Sequence, residues 1–242
     1  KEEYAASEKR PAVIICPGGA YEKISSREAV PIATSFLAKG ISAFVLKYNV
    51  APYTYPTQIL ELFTAIKAIR QIAHVWNIDE NKIFVCGFSA GGHLAACSGV
   101  FWDKDVALNL DFEGEEHKPN GLILSYPVIS AVSSPHQRSF QNLLGDFQET
   151  KVLEYLSVEK QVTRSTPPSF IWHTFDDQSV PVKNTILFAE RLISKGVLTE
   201  LHIYPKGVHG LSLANDFVNP PENVSVKCQS WFDFAVDFIY NL

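Results

Sequence analysis

The 242-residue chain has no methionine, four cysteines, and no apolar run near the ~20 residues that a membrane-crossing helix needs. Cys16, Cys86, Cys97 and Cys228 form no C-x-x-C pair and no metal-ligand spacing, so the reading is four buried thiols in a reducing cytosol rather than disulfides. No His, Cys, Asp or Glu cluster has catalytic zinc spacing, so neither metal nor cofactor is expected. Basic residues do not outnumber acidic ones, and a net charge of −5 gives no reason to expect nucleic acid or an anionic membrane as partner. The first ten residues are polar and charged, so no signal peptide is visible in them and the expected location is the cytoplasm. The missing methionine, with a start at Lys1, raises the expectation that some residues, modified methionines first, are absent from the sequence; an intact mass equal to that of the sequence would rule this out.

A hydrophobic content of 46% with 19% charged residues describes a globular chain, and the length fits one large α/β domain. Apolar runs at 12–16, 41–48, 82–86 and 122–126 read as strands, 169–175 and 200–204 supply two more, and helical patterns separate them. The helix predicted over 57–76 sets Ile59, Leu62, Phe63, Ile66, Ile69, Ala73 and Trp76 on one face, which places Trp76 in the core. Between the last two strands the apolar face uses Ile186, Ala189, Leu192 and Ile193, and the final helix packs through Trp231, Phe234, Ala235, Phe238 and Ile239. Interleaved strands and helices imply right-handed crossovers and a mostly parallel sheet covered on both faces, with ligands bound at the carboxyl ends of the strands. Two excursions interrupt the pattern. The acidic stretch 103–118 reads as a solvated loop, and 130–168 as short helices around 140–144 and 152–156 that form a small cap.

Between a strand and a helix stands Gly87-Phe88-Ser89-Ala90-Gly91, a G-x-S-x-G pattern. Small residues two before and two after a serine relieve the crowding of a sharp turn that pushes its hydroxyl out at the top of a sheet. Glycine-rich turns of this kind also serve as packing devices or phosphate sites, so the context has to decide. His209, flanked by Gly207 and Gly210, follows the strand at 200–204, where it can reach such a serine or be a surface histidine. Asp177 follows the strand at 169–175 in Asp177-Gln178-Ser179-Val180-Pro181; it reads as an orienting acid or a loop carboxylate, with Asp176 as its rival. The chain order Ser, Asp, His is that of α/β-hydrolases. His93 reads as a core residue or a support behind the serine, and His173 and His202 as structural.

The segments Cys16-Pro17-Gly18-Gly19-Ala20-Tyr21, Lys47-Tyr48-Asn49-Val50-Ala51-Pro52, Gly87-Phe88-Ser89-Ala90-Gly91-Gly92-His93-Leu94-Ala95-Ala96, Asp177-Gln178-Ser179-Val180-Pro181 and Gly207-Val208-His209-Gly210 resemble the esterase and lipase branch of the α/β-hydrolases. Within it the chain is most similar to the small acetyl-xylan-esterase-like and feruloyl-esterase-like sugar hydrolases, from about Pro11 to the last residue. It departs from the hormone-sensitive-lipase group, which has histidine where Pro17 stands. The resemblance implies an α/β-hydrolase fold, with Ser89 as nucleophile, His209 as base and Asp177 as orienting acid. It also implies an oxyanion hole from the N–H groups of Ala90 and of the turn Gly18-Gly19-Ala20, Gly19 foremost. Tyr21, with Glu22 and Arg27, is expected to line the substrate pocket.

The expected function is therefore a serine carboxylesterase for short-chain esters, acetylated sugars among them, whose turnover survives EDTA and falls on acidification. The alternatives are a serine hydrolase of another bond, such as an arylformamidase or a peptidase, and a non-catalytic binding protein on the same fold. The expected partner is a small-molecule ester, and a homo-oligomer stays open.

Overall fold

A computed structural model describes residues 8–108 and 114–242. Its centre is a six-stranded, all-parallel sheet of β1 (Arg10–Cys16), β2 (Ser42–Val45), β3 (Ile78–Phe88), β4 (Gly121–Ser125), β5 (Ser169–Thr174) and β6 (Thr199–Tyr204), in the order β2-β1-β3-β4-β5-β6. Successive residues of a strand point to opposite faces, and both faces are buried where the sheet is covered, so the central strands carry continuous apolar runs at 12–16, 83–86 and 122–124. Ala12, Ile14, Cys16, Val85, Leu124 and Ile171 enter one core; Val13, Ile15, Cys86, Phe88, Ile123 and Trp172 enter the other. Helices α1 (Val30–Ala38) and α8 (Val226–Asn241) close the second core. The first is closed by α2 (Thr57–Ile72), α3 (Ala90–Phe101) and α7 (Lys183–Ser194). The carboxyl ends of β3, β5 and β6 therefore open on one edge of the sheet, and the connections leaving them carry Ser89, Asp177 and His209.

Several expectations from periodicity are corrected. Helix α2 ends at Ile72, and Trp76 is 54% exposed and stacks on Phe44 at 5.4 Å; Asn77, at a φ of 54°, turns the chain so that Ile78 enters the core instead. On α7 the buried face carries Asn184, Thr185, Phe188, Ala189 and Leu192, leaving Ile186 and Ile193 exposed. The polar pair is buried because it is satisfied: Asn184 Oδ1 accepts the N–H groups of Ile129 and Ser130, and the Thr185 hydroxyl meets His173 Nδ1 at 2.8 Å. On α8, Phe234 lies outside the core and stacks on His202 at 4.7 Å, while Cys228 and Phe232 are buried. The acidic stretch is not wholly a solvated loop: α4 (Asp105–Leu108) is helical, and His117 is buried against Phe63. Residues 109–113 of that stretch lie outside the described residues.

The excursion 130–168 contains α5 (Gln137–Leu144) and α6 (Thr150–Tyr155), close to where short helices are expected. It leaves after β4 at the edge that carries Ser89. The four cysteines are free and buried. Among the described residues no helix is long and apolar enough to cross a membrane.

Candidate active site

Ser89 sits between β3 and α3 with φ 52° and ψ −117°, a left-handed conformation that a residue with a side chain adopts only when its surroundings enforce it. Neighbouring glycines permit this. A Cβ at Gly87 would collide with the Gly91 carbonyl, and one at Gly91 would collide with the carbonyl of Cys16 on β1. The turn is then held by backbone bonds, Ser89 N–H to the Ser125 carbonyl at 3.0 Å and Val128 N–H to the Ser89 carbonyl at 3.0 Å.

The Ser89 hydroxyl lies 2.8 Å from His209 Nε2, and His209 Nδ1 lies 2.6 Å from Asp177 Oδ2. With Nδ1–H donating to the carboxylate, Nε2 is left as acceptor for the serine proton. Asp177 is buried, and both of its oxygens are engaged. Oδ1 accepts the N–H groups of Ser179 and Val180, so the residue also fulfils the loop-carboxylate reading, while Oδ2 takes His209 and, at 3.2 Å, His173 Nε2. Burial pushes this carboxyl upward, but the hydrogen bonds from His173 and His209, the charge of His209 and the Val180 N–H outweigh it and hold Asp177 well below the usual carboxylate range. A carboxyl lowered in the folded state stabilises the fold above its unfolded value, about 3.9, and loses that contribution as pH falls toward its native value. Wild type should therefore lose stability relative to Asp177→Asn as pH drops below about 4, read from urea midpoints at pH 7 and pH 3. A constant difference between the two proteins would contradict the lowered carboxyl.

Asp176, the rival acid, is turned away: its Oδ1 accepts the Gly207 N–H at 2.7 Å and anchors the His209 loop from outside. His93 is buried behind the serine, donating from Nε2 to the Leu156 carbonyl and accepting the Tyr21 hydroxyl at Nδ1, both at 2.9 Å. Burial pushes its imidazole down to about 4, with the Leu156 carbonyl pulling back only in part, so it is neutral at pH 7. His173 is structural in position, yet it also braces Asp177.

Two expected site residues do not take their places. Tyr21 does not line a pocket: its side chain is 1% exposed, packed edge-on to Tyr48 and bonded to His93, because its φ of 56° turns the ring under the loop. The Gly18 N–H does not face the serine but donates to Glu28 Oε2 at 2.8 Å. The donors left for an oxyanion are Gly19 N–H, without a partner among the described residues, and Ala90 N–H, one of the unpaired donors that begin α3.

Over Ser89 and His209 opens a cleft of about 560 Å³, walled by Gly19, Glu22, Lys23, Ile24, Arg27, His136 and Arg138. Glu22 and Arg27 were expected there. His136 and Arg138 were not, since they arrive from the 130–168 excursion, and Arg138 forms an ion pair with Glu22 at 2.5 Å across the mouth. His136 Nδ1 meets the buried Ser139 hydroxyl at 2.8 Å, and Asn142 of α5 donates to the Ala20 carbonyl, so the excursion also braces the turn beside Ser89. No local signal in the sequence marks these contacts.

The BD-FAE family model matches residues 2–192. The chain is 38% identical over 214 residues to "Endo-1,4-beta-xylanase B" of Butyrivibrio fibrisolvens, covering 86% of this chain and 33% of that protein. It is 32% identical over 212 residues to "Acetylxylan esterase" of Xylanibacter ruminicola, covering 85% of this chain and 42% of that protein. The chain thus spans between a third and a half of the length of these curated relatives. A crystal structure of an acetyl ester-xyloside bifunctional hydrolase from Caldicellulosiruptor lactoaceticus superposes with a TM-score of 0.86 at 37% identity, covering 98% of this chain and 85% of that one. With the parallel sheet and the Ser89 turn already in place, these likenesses identify the fold as that of the α/β-hydrolases and the chain as a member of the BD-FAE family.

Proposed function

We propose that this chain is a serine carboxylesterase that removes short acyl groups, acetyl foremost, from esterified sugars. The observation that carries the reading is the chain of hydrogen bonds from Ser89 through His209 to Asp177, set beside the N–H groups of Gly19 and Ala90, which have no partner among the described residues. Ser89 Oγ adds to the ester carbonyl carbon while its proton passes to His209 Nε2, and Asp177 stabilises the imidazolium that forms. The carbonyl oxygen, now negative, accepts from Gly19 and Ala90 N–H; each such donor is worth roughly 3–4 kcal/mol in the transition state. Collapse expels the alcohol, which takes the proton from His209, and water then repeats the sequence on the acyl-serine to release the acid.

The walls of the cleft favour a small acyl group on a polar alcohol. Ile24 is the one large aliphatic side chain among its lining residues, so a long acyl chain would gain little by burial there. A second open cleft, of about 770 Å³, adjoins across Ser179 and His209 and is lined by Asp176, Gln178, Lys206, Glu222 and Asn223, groups suited to sugar hydroxyls. Two of the relatives, an acetylxylan esterase and an acetyl ester-xyloside bifunctional hydrolase, support that pairing.

Rates on p-nitrophenyl esters of increasing acyl length, beside acetylated xylo-oligosaccharides and N-formylkynurenine, test the reading. Acetyl and propionyl esters should turn over at least tenfold faster than octanoyl esters, the difference that ~1.4 kcal/mol makes, and acetylated oligosaccharides should release acetate. A preference for long acyl chains, or for N-formylkynurenine over every ester, would replace this function with another.

A further inference from the structure

Glu28 ends a short 3-10 turn, Ser26–Glu28, just ahead of α1, and is only 3% exposed. A buried carboxylate beside a place where negative charge must develop is electrostatically adverse, so its presence here calls for a task. Its contacts supply one. Oε2 accepts the Gly18 N–H at 2.8 Å, and Oε1 accepts the Tyr126 hydroxyl at 2.7 Å. Tyr126 in turn accepts the Ser212 N–H at 2.9 Å, and its ring meets the His209 ring at 5.1 Å and 70°. Burial pushes the Tyr126 phenol far above its ordinary range, so it remains a donor to Glu28. One carboxylate thus joins the turn beside Ser89 to the segment that follows His209. The fit is close: a Cβ at Gly18 would stand 2.8 Å from Glu28 Oε2 and 3.0 Å from Ser89 Cβ.

Other bonds hold the turn by its carbonyls. Ser25 N–H donates to the Gly18 carbonyl, Lys23 N–H to that of Gly19, and Asn142 to that of Ala20. Among the described residues Glu28 is the side chain that fixes an N–H of the turn, and by claiming that of Gly18 it leaves the next one, Gly19, for the cleft. We propose that Glu28 is a positioning residue that aims the Gly19 N–H at the oxyanion and keeps it in register with His209. This rests on the esterase reading above and adds to it a residue that touches no substrate.

Glu28→Gln preserves shape but gives two donors, Gly18 N–H and Tyr126 O–H, a single acceptor. Removing an oxyanion donor outright costs about 10²–10³ in kcat, so misaiming one should lower kcat by about 10–100-fold with KM within threefold. The discriminating readout is a short trifluoromethyl ketone, to whose carbonyl carbon Ser89 adds, leaving an oxyanion in the same hole. Its inhibition constant should rise by the factor by which kcat/KM falls. Tyr126→Phe, which leaves Oε1 without its donor, should act in the same direction but by less, about 3–10-fold, and carries the test if Glu28→Gln does not fold. Variants within twofold of wild type, or a fall in kcat with ketone affinity unchanged, would overturn the positioning role. Wild type that forms no adduct between the ketone and Ser89 would instead overturn the esterase reading itself.

Discussion

Ser89→Ala should lower ester turnover by roughly 10⁴–10⁶-fold while leaving the fold and its urea midpoint nearly unchanged. The size of the loss follows from the geometry. Ser89 Oγ is the atom that His209 Nε2 faces at 2.8 Å, and alanine leaves water to attack without a positioned partner. Stability should move little because the left-handed backbone at residue 89 is enforced by Gly87, Gly91 and the bonds to Ser125 and Val128, none of which uses the hydroxyl. A folded variant that keeps even a few per cent of wild-type turnover would assign the chemistry elsewhere.

The second large effect separates two adjacent acids. Asp177→Asn should cost about 10⁴-fold in kcat, because an amide in place of Oδ2 either donates toward His209 Nδ1 or turns away, and both outcomes spoil the tautomer that leaves Nε2 as acceptor. Asp176→Asn should cost no more than about tenfold, since its carboxylate holds only the Gly207 N–H at 2.7 Å, which an amide oxygen can also accept. Both rates belong beside a pH profile. The limb that falls on acidification should not follow Asp177, which is held ionised well below the usual carboxylate range. The reverse ranking of the two variants would exchange the roles of the acids.

What the sequence made legible was local. The Ser89 turn depends on residues two apart on either side, so five letters carry it. Asp177 and His209 could be placed because each follows a segment that reads as a strand, and the strand order then brings them to one edge. What was not legible depends on tertiary partners. Nothing near Tyr21 shows that its ring turns inward to His93, and nothing near Gly18 shows that Glu28, ten residues on, takes its N–H. His136 and Arg138 reach the cleft only through the path of the 130–168 excursion. On α7 periodicity placed Ala189 and Leu192 correctly but not Ile186 and Ile193, for a physical reason: Asn184 and Thr185 are buried with their hydrogen bonds satisfied, which rotates the buried face and leaves the two isoleucines exposed. Trp76 misled because its large apolar ring covers Phe44 from outside rather than from within.

Whether Ser89 is an activated nucleophile is decided by peptide mapping after reaction with a fluorophosphonate, which an activated serine attacks with loss of fluoride. One adduct per chain is expected, on Ser89, formed in step with the loss of esterase activity and absent from Ser89→Ala. Full activity in protein carrying that adduct, or complete inactivation with the adduct on another residue, would contradict it.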